Sequence, residues 1–132
     1  MTTTFALPTT TTRLGTTRAA RTIFYVRDFA GALAFYGDVL GLPFAYPADL
    51  DGGWAEFDLG NFAFCLHSTK DVIPAEARKT THFALAVEDL DAAIAFLREQ
   101  GIEVGKPFSP CGSLRVAQFH DPEGNVLSLE GK

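Results

Sequence analysis

The chain is short of sulfur and of histidine: two cysteines, one methionine and three histidines in 132 residues. Cys65 and Cys111 lie far apart, with no paired spacing. That excludes a cysteine-knuckle metal site and a disulfide scaffold, and two thiols in a chain of this size read as a reduced, cytoplasmic protein. No apolar run approaches the roughly 18 residues that span a bilayer, so no membrane partner is expected. Residues 1–17 are threonine-rich and hold no long apolar stretch, which excludes a secretory signal there. Acids are absent before Asp28, so the first 21 residues carry +3 through Arg13, Arg18 and Arg21, and the remainder carries −8. An acidic body argues against nucleic acid as a partner. It is compatible with a cationic ligand, and equally with plain solubility.

What is present in quantity is apolar and aromatic. Hydrophobic residues make up 47 % of the chain, with twelve phenylalanines and one tryptophan. This composition supports a large aromatic core and excludes a disordered chain.

The sequence also repeats itself. Residues 27–36 (RDFAGALAFY) match residues 88–97 (EDLDAAIAFL) at a constant offset, and a short apolar strand precedes each copy, over 22–26 and 82–87. A glycine closes each helix, at Gly41 and Gly101, and each copy later carries a Gly-Asn turn, Gly60-Asn61 and Gly124-Asn125. A repeat of this length marks a duplicated supersecondary unit. Asp89 is placed to cap the second helix, and Leu90, Ile94 and Leu97 share one helical face. Residues 54–59 and 62–66 read as a hairpin, as do 114–119 and 126–129 across Asp121-Pro122-Glu123-Gly124-Asn125, whose proline and glycine suit a tight turn. The expected fold is α+β: two tandem βαβββ modules forming a curled mixed sheet around a central cavity, helices on the outer face. Residues 1–20 read as a flexible tail or added strand, 21–67 as the first module, 68–79 as a linker and 80–132 as the second module, together one compact domain.

This pattern resembles the vicinal oxygen chelate superfamily, which includes glyoxalase I, extradiol dioxygenases, fosfomycin-resistance thiol transferases and bleomycin-resistance proteins. The resemblance spans about residues 21–130. It is carried by 87–96 (VEDLDAAIAF), by Phe35-Tyr36 with Leu40-Gly41-Leu42, and above all by 119–129 (FHDPEGNVLSL). It implies the fold strongly and the reaction weakly, because one scaffold hosts several chemistries. Metal-using members offer a ligand early in the first strand and in the last strand of each unit. The matching positions here are Arg21, His82, Cys65 and Ser128, where relatives commonly carry His or Glu. Arg21 is a permanent cation that cannot ligate, and Ser128 is a weak neutral donor. His82 and Cys65 alone fall short of the three ligands a catalytic site takes. The resemblance therefore points to the bleomycin-resistance-like branch, with no cofactor. A divalent metal held by His82 with Glu130, His67 or Cys65 is the alternative.

Alternation sorts the strand residues. Phe62, Phe64, Leu66, Phe83, Leu85, Val87, Leu127 and Leu129 should pack under the helices. Arg21, Ile23, Tyr25, Trp54, Glu56, Cys65, His67, His82, Gln118, Ser128 and Glu130 should face the ligand, a mixture of aromatic walls and a few polar groups. Trp54 and Tyr25 suit stacking on a planar or cationic compound, or ordinary packing. Arg21 suits a ligand carboxylate, or an ion pair with Glu56 or Glu130. Cys65 is a nucleophile only if a neighbour lowers its pKa, and otherwise a buried inert thiol. His120 and the 121–125 turn are read as turn packing. Three functions remain open. One is a metal-free protein binding a small aromatic or cationic compound, with antibiotic-resistance-like character. Another is a metal-dependent lyase, isomerase, dioxygenase or thiol transferase. The last is a metal-independent enzyme with His82 as general base, alone or with Glu56 or Glu130. The family analogy adds a homodimer.

Overall fold

In the computed structural model residues 8–132 are described, and they fall into two compact units that part between Thr69 and Lys70. The seven residues before Pro8, part of the expected N-terminal tail, lie outside the described residues. No described helix is long and apolar enough to cross a membrane.

The first unit opens with a small antiparallel hairpin, β1 (Thr10–Thr12) and β2 (Gly15–Thr17). A three-stranded mixed sheet follows. Its centre is β5 (Ala63–Ser68), parallel to β3 (Arg21–Val26) on one side and antiparallel to β4 (Trp54–Asp58) on the other. Between β3 and β4 runs helix α1 (Phe29–Leu33), capped by the Asp28 carboxylate accepting from the Gly31 amide. It widens into a π-helical turn over Ala34–Val39, closed by the Leu40 amide donating to the Phe35 carbonyl. Wide turns of this kind are rare and local. This one buries Phe35 and Tyr36 side by side.

One face of the sheet carries Phe24, Val26, Ala55, Phe57, Phe64 and Leu66, all buried. Tyr36 drops onto it, with ring centroids 4.8 Å from Phe64 and 6.4 Å from Phe57, and Phe24 meets Phe64 edge-on at 5.1 Å. Offset and edge-to-face arrangements of this kind add to the burial of apolar area. Phe62, expected under the helix, instead sits half-buried in the hairpin turn, where its carbonyl accepts from the Leu59 amide.

The first unit departs from the expected βαβββ order. The segment before β4 forms isolated bridges only, Phe44 with Phe57 and Asp49 with Trp54. Pro43 and Pro47 flank Phe44 to Tyr46. Each lacks a backbone donor, so a continuous ladder cannot propagate through them. Gly53 then turns the chain into β4 with φ 66°, pressed against the Ser68 side chain where a Cβ would not fit.

The second unit is a complete βαβββ module: β6 (His82–Ala86), α3 (Leu90–Glu99), β7 (Phe108–Cys111), β8 (Leu114–His120) and β9 (Val126–Gly131). The sheet order is β6-β9-β8-β7, with β6 parallel to β9 and the other pairs antiparallel. Asp89 caps α3 through the Ala92 amide, and Leu90, Ile94 and Leu97 are buried, as the spacing predicts. Beneath them Phe83, Leu127, Leu129, Ala117 and Phe119 form the core face of the sheet. Both sheets are mixed and neither is closed into a barrel, so the fold is α+β.

The 68–79 stretch is not featureless. It carries the short helix α2 (Ala75–Arg78), and Arg78 is buried. Its Nη1 donates to Asn125 Oδ1 at 3.0 Å and its Nη2 to Glu123 Oε1 at 2.9 Å. The same turn is braced by Asp121, which accepts from the Glu123 and Asn125 amides and from Asn125 Nδ2. His120 is exposed beside it. Removing one partner of a buried ion pair costs about 3–5 kcal/mol, because it strands the other charge. Arg78→Ala should therefore lower the free energy of unfolding by about 3 kcal/mol in urea denaturation. Arg115→Ala, which breaks the solvent-exposed pair with Asp91, should leave the midpoint nearly unchanged.

Candidate functional site

The face of the first sheet opposite its aromatic core gathers most of the expected site residues. The register lays them in three rows across β3, β5 and β4: Arg21, Ala63 and Asp58; then Ile23, Cys65 and Glu56; then Tyr25, His67 and Trp54. Successive same-face residues on a strand are about 6.5–7 Å apart, so the rows form a ladder at that step.

The third row is aromatic throughout. His67 stacks on Tyr25 with ring centroids 5.5 Å apart, and Trp54 meets His67 edge-on at 5.6 Å. The His67 Nδ1 lies 3.0 Å from the Ser68 carbonyl oxygen. A carbonyl only accepts, so Nδ1 carries the proton and a neutral ring has Nε2 as its acceptor. The lower rows are polar. Arg21 Nη1 lies 2.6 Å from Glu56 Oε1 and 3.9 Å from Cys65 Sγ, and the Cys65 thiol lies 3.8 Å from the same Glu56 oxygen.

Tyr46, which the sequence did not single out, completes the cluster from the loop before β4. The Trp54 indole Nε1 donates to Tyr46 Oη at 2.7 Å, and that hydroxyl donates to Glu56 Oε1 at 3.3 Å. The one signal for it was the alternation of Phe44 and Tyr46 ahead of the Trp54 hairpin. That signal is cut short by the two prolines.

The electrostatics follow from these contacts. The Cys65 sulfur and the Glu56 carboxylate both hold Arg21 above its ordinary value. Burial pushes the Cys65 thiol up, and the Arg21 hydrogen bond pulls it back only in part. Burial likewise raises Tyr46, opposed by the indole hydrogen bond. Cys65 is thus a protonated thiol at neutral pH and a poor nucleophile. The Arg21–Glu56 pair, with side chains 41 % and 18 % exposed, is worth under about 1 kcal/mol to the fold.

In the second unit the register puts His82, Ser128, Glu130 and Gln118 on the face away from α3. His82 Nε2 lies 3.0 Å from the Ser128 hydroxyl, and Ser128 is buried. Gln118 is the cross-strand partner of Ser128 and is exposed, while Glu130 is half-buried. Among the described residues neither side chain is bonded to the His82–Ser128 pair.

The residues do not suit the divalent metal that the fold resemblance brings to mind. Among the described residues no three His, Cys, Asp or Glu side chains come together as a ligand set. Cys65 and Glu56 face a guanidinium, which would repel a divalent ion at contact range. His82 Nε2 is taken up by the Ser128 hydroxyl, and His67, whose Nδ1 proton goes to the Ser68 carbonyl, offers one ring nitrogen where a catalytic site takes three ligands.

The thiols give a direct check. Native protein at pH 8 treated with iodoacetamide should gain one adduct, at the exposed Cys111, with Cys65 modified only in denaturant. Intact mass and peptide mapping read the outcome. Because the folded Cys65 pKa lies above its ordinary value, folding retains this proton where the unfolded chain loses it. Any contribution to stability is therefore complete below the ordinary thiol pKa and fades as pH rises through the folded one.

Over 116 residues the chain is 30 % identical to the uncharacterized protein YraH of Bacillus subtilis (strain 168), covering 79 % of this chain and 90 % of that one. Its fold matches the crystal structure of a glyoxalase / bleomycin resistance protein from Catenulispora acidiphila with a TM-score of 0.64 and 26 % identity, over 88 % of this chain and 99 % of the other. It also matches lactoylglutathione lyase from Agrobacterium tumefaciens with a TM-score of 0.70 and 22 % identity, over 86 % and 92 % of the two chains. The family model for the glyoxalase, bleomycin resistance protein and dioxygenase group covers residues 18–129. With the duplicated helix-and-sheet pattern and the 119–129 signature inside that span, the chain belongs to the Glyoxalase/Bleomycin resistance protein/Dioxygenase superfamily.

Proposed function

We propose that this chain binds a small planar aromatic compound on the open face of its first sheet, without a metal ion. The observation that carries this reading is the row of Tyr25, His67 and Trp54. Three rings are aligned across three strands, with Tyr25 49 % exposed. Small-ligand sites are typically built from such an aromatic surface with a few fixed polar groups beside it. Here the polar groups are Arg21, Tyr46 and Glu56, already oriented by their own hydrogen bonds. Pre-ordered groups lose less entropy when a ligand arrives.

Binding rather than covalent catalysis is favoured by the state of Cys65. Its thiol is held protonated by burial and is wedged between a guanidinium and a carboxylate. Aromaticity rather than positive charge is favoured by the state of Glu56. That carboxylate is mostly buried and is taken up by Arg21 and Tyr46, so it offers little to a cation.

Two measurements test the reading. Protein purified without chelators should hold Ni, Zn, Fe and Mn far below one ion per chain, and stoichiometric metal would overturn it. A panel of two-ring aromatic amides should raise Tm. A ligand at 100 times its Kd stabilises by about 2.7 kcal/mol, which is several degrees for a protein of this size. The combined Tyr25→Ala and Trp54→Ala variant should lose that rise.

A further inference from the structure

Resting on that reading, the geometry points to the chemical class of the ligand: we infer that the site selects an aromatic carboxylate, with its ring on the Tyr25–His67–Trp54 row and its carboxylate on Arg21. Arg21 spends a single nitrogen, Nη1, on both Glu56 and Cys65. Among the described residues its Nη2 and Nε donors have no partner, and 41 % of its side chain is exposed. A guanidinium presents its donors as a planar fork that matches a carboxylate with two parallel hydrogen bonds. Arg21 therefore keeps one open edge while its other edge is anchored in the cluster.

The anchoring matters as much as the open edge. Glu56 fixes the guanidinium but is 18 % exposed. The charge that an arriving ligand meets first is consequently the positive one. Tyr46 donates its hydroxyl proton to Glu56 and so draws on the carboxylate's remaining capacity from the loop side.

Strand β3 supplies the spacing. Arg21, Ile23 and Tyr25 follow one another on the same face of an edge strand. Ile23 is 37 % exposed, an apolar step between the cation and the aromatic ring. Each step is about 6.5–7 Å. Arg21 already leans toward the second row, since it reaches Glu56 there. A ring lying over Ile23 and against Tyr25 would present a carboxylate one bond away to the open guanidinium edge. A neutral aromatic amide would keep the ring contact and lose the paired charge. An aromatic cation would meet Arg21 with like charge.

The sole tryptophan, Trp54, gives one indole N–H signal in a two-dimensional nitrogen–proton spectrum of the full chain. Titrations with benzoate, benzamide and benzyltrimethylammonium, followed on that signal, form the test. Benzoate should bind at least 10-fold more tightly than either of the others. Arg21→Gln should weaken benzoate by about 10- to 100-fold, the range of a charge-assisted hydrogen-bonded pair, and so remove its advantage over benzamide. Glu56→Gln, which releases Arg21 and removes the nearby negative charge, should tighten benzoate, and this variant stands if Arg21→Gln does not fold. Equal binding of benzamide and benzoate, or tighter binding of the cation, would overturn the carboxylate assignment while leaving the aromatic site intact. An indole signal unmoved by all three would overturn both readings.

Discussion

Phe64 packs against Phe24, Phe57 and Tyr36, and that contact holds the centre strand of the first sheet with one particular face down. Side chains on a strand alternate with a period of two, so burying Phe64 and Leu66 commits Cys65 and His67 to the opposite face. The neighbouring strands inherit the same commitment through their pairing with β5, which turns Arg21, Tyr25, Trp54 and Glu56 outward together. A shift of one residue in β5 would turn Cys65 and His67 toward the aromatic core and Phe64 and Leu66 away from it. The apolar area at stake makes that shift unfavourable. The core thus positions the site through the strand register.

The two repeats use the same plan with different resources. The second has a regular capped helix and four strands. The first has a short helix that widens into a π turn, and three strands. The strand it forgoes is the one in which proline withdraws backbone donors. The freed segment contributes Tyr46, whose hydroxyl links the Trp54 indole to Glu56. Loss of a regular element and gain of a polar contact therefore have the same origin.

The charge pairs of the two units differ in what they contribute to stability. The Arg21–Glu56 pair is exposed enough to contribute little to folding. Arg78, by contrast, is buried and fully engaged in bracing the 121–125 turn. That turn carries the most family-specific stretch of the sequence, and its Asp, Glu and Asn side chains are spent on the turn's own amides and on Arg78. Its acidic composition serves architecture.

The sequence by itself determined the duplicated α+β plan, the helix cap at Asp89, and which strand side chains share a face. All of these follow from local periodicity and short-range hydrogen bonding, which neighbouring residues settle among themselves. The family resemblance added the expectation that Arg21 and Ser128 stand where metal-using relatives carry ligands. Only the tertiary structure decided who pairs with whom. Arg21 turned to Glu56 and Cys65, His82 to Ser128, and His67 to a backbone carbonyl. Arg78 was drawn from an expected linker into a buried ion pair, and Tyr46 was brought in from an irregular loop. Apart from the local contact of His67 with the adjacent Ser68, each of these contacts joins residues whose separation along the chain carries no period. They depend on strand register and loop path, which form only when the whole sheet closes on its core.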